Sequence, residues 1–292
     1  MYKLCILLLL IGCGVADTVT GPQSSTTPPF IPDTTVVTQP TIPSTLTNIP
    51  FAAPKNALWN EDGPLGFAFD LSTLWGQAIE DTTAFRYGWK SQKFIVNSGH
   101  CYGRDCYRTP VYERKEYGEG DMGLSKEGDE YWYGWSFYVP YESSNPFVFF
   151  GQFIQPPADS SVGHDSIWMF LKRHNQPFCM VFDWVNHPNA FMHCESPNIQ
   201  LISNADFAGR WHDIVVHAVW SHDNSKGLTE VWVDGQLKGV RHGYTLTPNH
   251  LGVVVKYGIY RPAHNKPTIV NYDEMRKGKT REEVDIRMLI NP

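Results

Sequence analysis

Aromatic-rich runs of strand length recur along most of this chain, broken by clusters of Gly, Pro, Asn and Asp. The clearest are Tyr131–Val139, Ser166–Leu171, Trp211–Trp220, Thr229–Val233 and Val253–Tyr260. Successive side chains of a strand point to opposite faces, so such runs bury one face or both, and no long stretch keeps the 3.6-residue period of a helix. The pattern predicts an all-β sandwich. Asp234-Gly235, between an alternating run and Gln236-Leu237-Lys238-Gly239, has the form of a two-residue hairpin turn. Short helical turns are expected at Leu71-Ser72-Thr73-Leu74 and after Thr280, where Thr280-Arg281-Glu282-Glu283 has the spacing of a capping box. The 10 tryptophans suit a sugar-stacking surface and a sandwich core alike, and at strand spacing most are expected in the core.

The N-terminus differs in kind. Met1-Tyr2-Lys3-Leu4 leads into an apolar core, Cys5–Ile11, followed by the small residues Gly14-Val15-Ala16, the layout of a secretory signal over residues 1–16. That core is too short to span a bilayer and no later segment approaches the required length, so a secreted, extracellular chain without a membrane span is expected. Residues 17–52 are rich in Thr, Ser and Pro and cannot bury enough apolar surface to offset their ordering entropy. They read as a disordered stalk, either O-glycosylated in the manner of a mucin or an unmodified linker. Residues 53–292, uninterrupted by a second such stretch, read as one domain.

Of the 6 cysteines, Cys5 and Cys13 leave with the signal, and Cys101, Cys106, Cys179 and Cys194 remain in an oxidising compartment. Three pairings are open to them. Cys101 and Cys106 bracket a short loop, and Cys179 and Cys194 flank the turn signal Asn186-His187-Pro188-Asn189, which favours the two local pairs over a zinc site. The net charge of −6 argues against a nucleic-acid partner, yet leaves room for an anionic sugar held by a few convergent basic groups.

Three sets of segments carry a more specific signal. The first is Arg114-Lys115-Glu116 with Gly128–Pro140; the second is Phe150-Gly151-Gln152-Phe153-Ile154-Gln155; the third joins Gly209–Val215, Val231–Gly235 and Lys256-Tyr257-Gly258-Ile259-Tyr260-Arg261. In order and spacing they resemble the polysaccharide lyases of the heparin-lyase-I-like and glucuronan-lyase-like group, which are concanavalin-A-like jelly rolls. The resemblance covers nearly the whole domain. It implies β-elimination at a uronic acid: a carboxylate is neutralised, the C5 proton is removed and the 4-linked sugar leaves. Negative charge develops on an enolate-like intermediate, so Arg, Gln or Asn must sit at the carboxylate, a base must reach C5, and an acid must protonate the departing oxygen.

By that resemblance Gln152 matches the glutamine of a Gln-x-His element and Arg114 the arginine of Arg-x-Glu, both holding the carboxylate, with Glu116 orienting Arg114. Tyr260 closes a Lys-x-Gly-x-Tyr element as general acid and also as a candidate base. Lys256 and Arg261 flank it, and a cation there is expected to ease phenolate formation. Glu116, Arg261 and Gln155 are expected to contact substrate. One position departs from the pattern: Ile154 stands where histidine is expected. Tyr260 then performs both proton transfers, or another histidine such as His164 or His193 reaches the site, or the groove binds acidic polysaccharide without cleaving it, as an extracellular-matrix protein would.

Other chemistries find less support. The nearest run to the carboxylate strand of laminarin-type glucanases, Glu283-Val284-Asp285-Ile286-Arg287-Met288, lacks its last glutamate, and no Gly-x-Ser-x-Gly is present. No organic cofactor and no catalytic metal is implied. Loop carboxylates and carbonyls of a secreted jelly roll suit a structural calcium, but no EF-hand loop is present and no calcium ligands are assigned.

Overall fold

The computed structural model describes residues 59–60, 69–70 and 78–290, apart from 102, 120–122, 160–161, 183–193 and 196. The expected signal, the stalk, the turn at Leu71-Ser72-Thr73-Leu74, the Asn186–Asn189 turn and His193 lie outside the described residues. The strands, in chain order, are β1 (Trp59–Asn60), β2 (Phe69–Asp70), β3 (Ile79–Asp81), β4 (Ser91–Val96), β5 (Tyr112–Gly118), β6 (Glu130–Tyr138), β7 (Phe147–Gln155), β8 (Asp165–Arg173), β9 (Phe178–Phe182), β10 (Ile199–Ile202), β11 (Trp211–Val219), β12 (Leu228–Val233), β13 (Gln236–His242), β14 (Val254–Pro262) and β15 (Thr268–Gly278). A short helix, α1 (Ile286–Ile290), follows, and none of the described helices is long and apolar enough to cross a membrane.

The strands form two antiparallel sheets, the sandwich of a jelly roll. A seven-stranded front sheet runs β10-β9-β8-β7-β14-β5-β2, and an eight-stranded back sheet runs β13-β12-β11-β6-β15-β4-β3 with β1 paired to β15. The inward-facing side chains fill the space between them, and an irregularity of β7 between Phe149 and Gly151 lets Phe150 and Phe153, of opposite parity, both turn inward. Phe150 and Phe153 of β7 and Val255, Tyr257 and Ile259 of β14 meet Tyr133, Trp135 and Phe137 of β6 and Ile214 and Val216 of β11 in one buried cluster. At its centre Trp168 and Trp220 stack at 4.6 Å between ring centroids, and the Trp220 indole donates to the Tyr133 hydroxyl at 3.1 Å. Burying such rings is the main favourable term, and giving the indole an acceptor removes the cost of hiding its N–H.

Several local expectations are met. Val233 pairs with Gln236 across a turn in which Asp234 and Gly235 both have positive φ, 51° and 81°, as a type I′ hairpin requires. Cys101 is bonded to Cys106 and Cys179 to Cys194, with Cα separations of 5.2 and 5.7 Å. The Glu283 carboxylate accepts from the Thr280 amide at 3.3 Å, the return arm of a capping box, although the helix itself begins only at Ile286.

Candidate active site

The parity that does not enter the core faces outward from the front sheet, and there it gathers polar groups in cross-strand rows. On β14 Tyr260 lies opposite Arg114 of β5 on one side and Phe149 of β7 on the other. Four residues earlier Lys256 lies opposite Gln152, which in turn lies opposite Met169 of β8; Ile154 faces Ser166. Directly opposed side chains are close enough to touch. The rows line a cavity of about 420 Å³ whose walls include Arg108, Arg114, Gln152, His164, Lys256 and Tyr260. That volume is in the range of small-ligand sites. Its aromatic surfaces are Tyr112, Phe149 and Tyr260 rather than tryptophans.

Beneath this surface runs a fixed hydrogen-bond chain. Glu116, 1 % exposed, accepts from the Gln152 amide nitrogen at 2.6 Å and from Arg114 Nη1 at 3.3 Å. The Gln152 carbonyl oxygen accepts from the Ser166 hydroxyl at 3.0 Å, which fixes the amide's orientation. A carboxamide nitrogen has two N–H groups, so one remains for a ligand. Asp105 sits in the turn Gly103–Tyr107 closed by the Cys101–Cys106 disulfide, and accepts from Arg114 Nε at 2.5 Å. Its other oxygen accepts from the Tyr260 hydroxyl at 3.4 Å, and Arg108 Nη1 donates to that hydroxyl at 3.0 Å.

These contacts set the charges. Burial works against the Arg114 cation, but Glu116 and Asp105 outweigh it and hold its pKa above the ordinary value. Burial also pushes the Tyr260 phenol up to about 12; Arg114, with its guanidinium carbon 4.1 Å from the ring centroid, and Arg108 pull the other way without prevailing. The cations that ease phenolate formation are thus Arg114 and Arg108 rather than Lys256 and Arg261, and burial outweighs them: Tyr260 is a neutral phenol at ordinary pH, suited to donate a proton. Lys256 is lowered from 10.5 by burial, with Arg114 adding to the effect and Glu116 opposing it. His164 is lowered from 6.5 by burial and then by Lys256 and His250, so its imidazole is neutral and able to accept a proton.

The structure thus brings Arg114, Gln152, Lys256 and Tyr260 together, and supplies His164 at the wall that Ile154 leaves apolar. Three expectations of substrate contact are corrected. Arg261, one residue past Tyr260, points to the opposite face of β14, is fully buried, and donates to Glu113 at 2.8 Å and to Thr268 at 2.7 Å. Gln155 has the same parity mismatch with Gln152; both ends of its amide are taken by Thr247, at 2.8 Å each. Glu116 lies under the cavity wall, with its oxygens occupied by Arg114 and Gln152. Conversely Asp105, Arg108 and Ser166 escaped the sequence reading. The one signal for the first two is their place within or just after the Cys101–Cys106 loop, ahead of Arg114. Among the described residues no group of three or more His, Cys, Asp or Glu side chains is arranged to hold a metal ion.

The polysaccharide lyase family profile matches residues 59–276. This chain belongs to the polysaccharide lyase family. Its fold is similar to that of an endo-β-1,4-glucuronan lyase from the fungus Trichoderma reesei, with a TM-score of 0.61 at 19 % identity over 78 % of this chain and 98 % of that one. A family 7 alginate lyase in complex with substrate aligns at a TM-score of 0.45 and 11 % identity, over 64 % of this chain and 77 % of that one. No curated protein matches the sequence. In this family member the front-sheet cavity spans β5, β7, β8 and β14, all within the matched residues.

Proposed function

We propose that this chain is a secreted lyase that cleaves a uronate-containing polysaccharide by β-elimination. The observation that carries the reading is the convergence of three cations, a pinned carboxamide, a neutral imidazole and a neutral phenol in one cavity. Arg114, Lys256 and the remaining N–H of Gln152 neutralise the substrate carboxylate, so that charge can build on it as an enolate. The His164 imidazole takes the C5 proton. The electron pair moves in to form the C4=C5 bond, the C4–O4 bond breaks, and the Tyr260 hydroxyl delivers its proton to the departing oxygen. The products are an unsaturated uronate and a sugar with a new free hydroxyl; solvent then returns one proton to Tyr260 and takes one from His164. Two disulfides support an oxidising compartment, in keeping with the signal read in residues 1–16.

The test is direct. The full chain is incubated with glucuronan, alginate and heparan-type chains while ultraviolet absorbance follows the new double bond. The fold likeness to a glucuronan lyase makes glucuronan the first substrate to try. Turnover is expected, and Tyr260→Phe is expected to lower kcat by about 10²–10⁴-fold; an active enzyme indifferent to that change has its acid elsewhere. Ile154, apolar where a histidine belongs, favours a second reading in which the same groove holds acidic polysaccharide without cleaving it. Retained binding with no absorbance change would decide for that reading.

A further inference from the structure

Along β14 the cavity has two ends. Lys256 and its cross-strand partner Gln152 mark one; Tyr260, four residues on and past a register shift, lies opposite Phe149, three residues along β7 or about 10 Å. Beyond it Pro262 pairs with Tyr112, the first residue of β5. Arg108 is at this far end. Its guanidinium carbon lies 5.1 Å from the Tyr112 ring centroid and its Nη1 donates to the Tyr260 hydroxyl, while its side chain stays 54 % exposed toward the cavity mouth. Asp105 is 3.9 Å away, too far for a hydrogen bond, and is already engaged with Arg114. Arg108 therefore retains most of its five N–H donors. The backbone that carries it leaves the disulfide-closed turn two residues after Cys106, so its position is set by a covalent loop rather than by a strand.

We propose that Arg108 is the specificity-determining residue of the far end of the groove, and that it takes the carboxylate of the sugar that departs. The inference rests on the lyase reading above, because that reading places the breaking C4–O4 bond at the Tyr260 hydroxyl. The carboxylate being neutralised then lies toward Gln152 and Lys256, and the departing sugar must lie on the other side, beside Arg108 and Tyr112. A guanidinium held over the Tyr112 ring with most of its donors free favours the carboxylate of a uronate over a neutral hexose. The preferred substrate is accordingly a run of consecutive uronates, not a chain in which uronate alternates with a neutral sugar.

Two tetrasaccharides test this against the full chain: a 1,4-linked glucuronate tetramer, and a tetramer in which glucuronate alternates with glucose. Dissociation constants are measured by titration calorimetry, and initial rates where turnover occurs. The wild-type chain is expected to favour the all-uronate tetramer by about tenfold, as one charge-assisted hydrogen-bonded pair supplies. Arg108→Ala and the shape-keeping Arg108→Gln are expected to abolish the preference while leaving the alternating tetramer's affinity within about twofold. Equal losses on both tetramers would mean that Arg108 acts only through the Tyr260 hydroxyl, and an unchanged preference that it does not read the sugar; either overturns the inference with the lyase reading intact. A wild-type chain that binds both tetramers but releases no unsaturated product sinks the lyase reading, and the ratio of affinities still decides the role of Arg108. Binding to neither overturns both.

Discussion

Lys256 depresses the protonation of His164 across the cavity while burial depresses its own, and the opposite roles of the two in the proposed mechanism turn that into a pH profile. A base must be unprotonated, and the His164 imidazole is held below 6.5 by burial, Lys256 and His250, so the acid limb of kcat/KM is expected below the ordinary histidine range. The ammonium proposed to bind the carboxylate must be protonated, and burial lowers Lys256 from 10.5, so activity is expected to fall on the alkaline side before Tyr260, at about 12, begins to ionise. Lys256→Arg keeps its proton at any working pH and is expected to move the alkaline limb upward. An unmoved limb would show that another group sets it. His164→Ala is expected to remove the acid limb and about 10²–10⁴-fold of kcat; full activity in that variant would return both proton transfers to Tyr260. In the proposed mechanism Ile154 is offset from a loop, by a histidine ten positions away that the sequence offered beside His193, and the fold is what places His164 at the cavity wall.

At the scale of the element, β14 is both the spine of the site and its most constrained strand. Its register against β7 shifts between Tyr257 and Tyr260, and Gly258 within the shift has φ 135°. A Cβ there would lie 2.3 Å from the Lys115 carbonyl oxygen and 2.8 Å from the Glu116 Cα. Gly258→Ala must strain β14 or push β5 away, parting Arg114 and Glu116 from Tyr260 and Gln152. A cost of about 1–3 kcal/mol is expected, read as a melting temperature lower by about 2–4 °C per kcal/mol, together with a fall in kcat. A variant equally stable and active would show that β5 yields freely. Strand periodicity made much of this element legible: Lys256 and Tyr260, four apart, must share a face, as must Gln152 and Ile154. The same count places Arg261 and Gln155 on the other face, so the local charge and amide that made them attractive as ligands did not outweigh the pleat. The turn carrying Asp105 and Arg108 was not legible, because its path is dictated by a disulfide and by contacts with residues far along the chain, and no period encodes those.

At the scale of the whole molecule, the sandwich follows from alternating aromatic runs long enough to cover two sheets, and the front cavity from the polar parity that those runs leave outside. What joins the sheets at one end is a hydrogen bond from a buried cation, itself paired within the front sheet. Arg261 of β14, in the front sheet, donates to Thr268 of β15, in the back sheet, at 2.7 Å, and to Glu113 of β5 at 2.8 Å. Glu113 is itself 1 % exposed and accepts from the Gly99 amide at 2.6 Å. Burial lowers the Arg261 pKa, and Glu113 opposes that effect, so the cation is tolerated through its partner. Removing that partner leaves an uncompensated buried charge: Glu113→Ala is expected to cost about 3–5 kcal/mol, whereas Arg261→Met with Glu113→Leu, which removes both charges, is expected to cost far less. Denaturant titration of the two variants measures the difference. Because neither residue faces the cavity, the fraction that stays folded is expected to keep the wild-type KM, which separates this joint from the groove. A raised KM in the folded double variant would instead return Arg261 to the substrate.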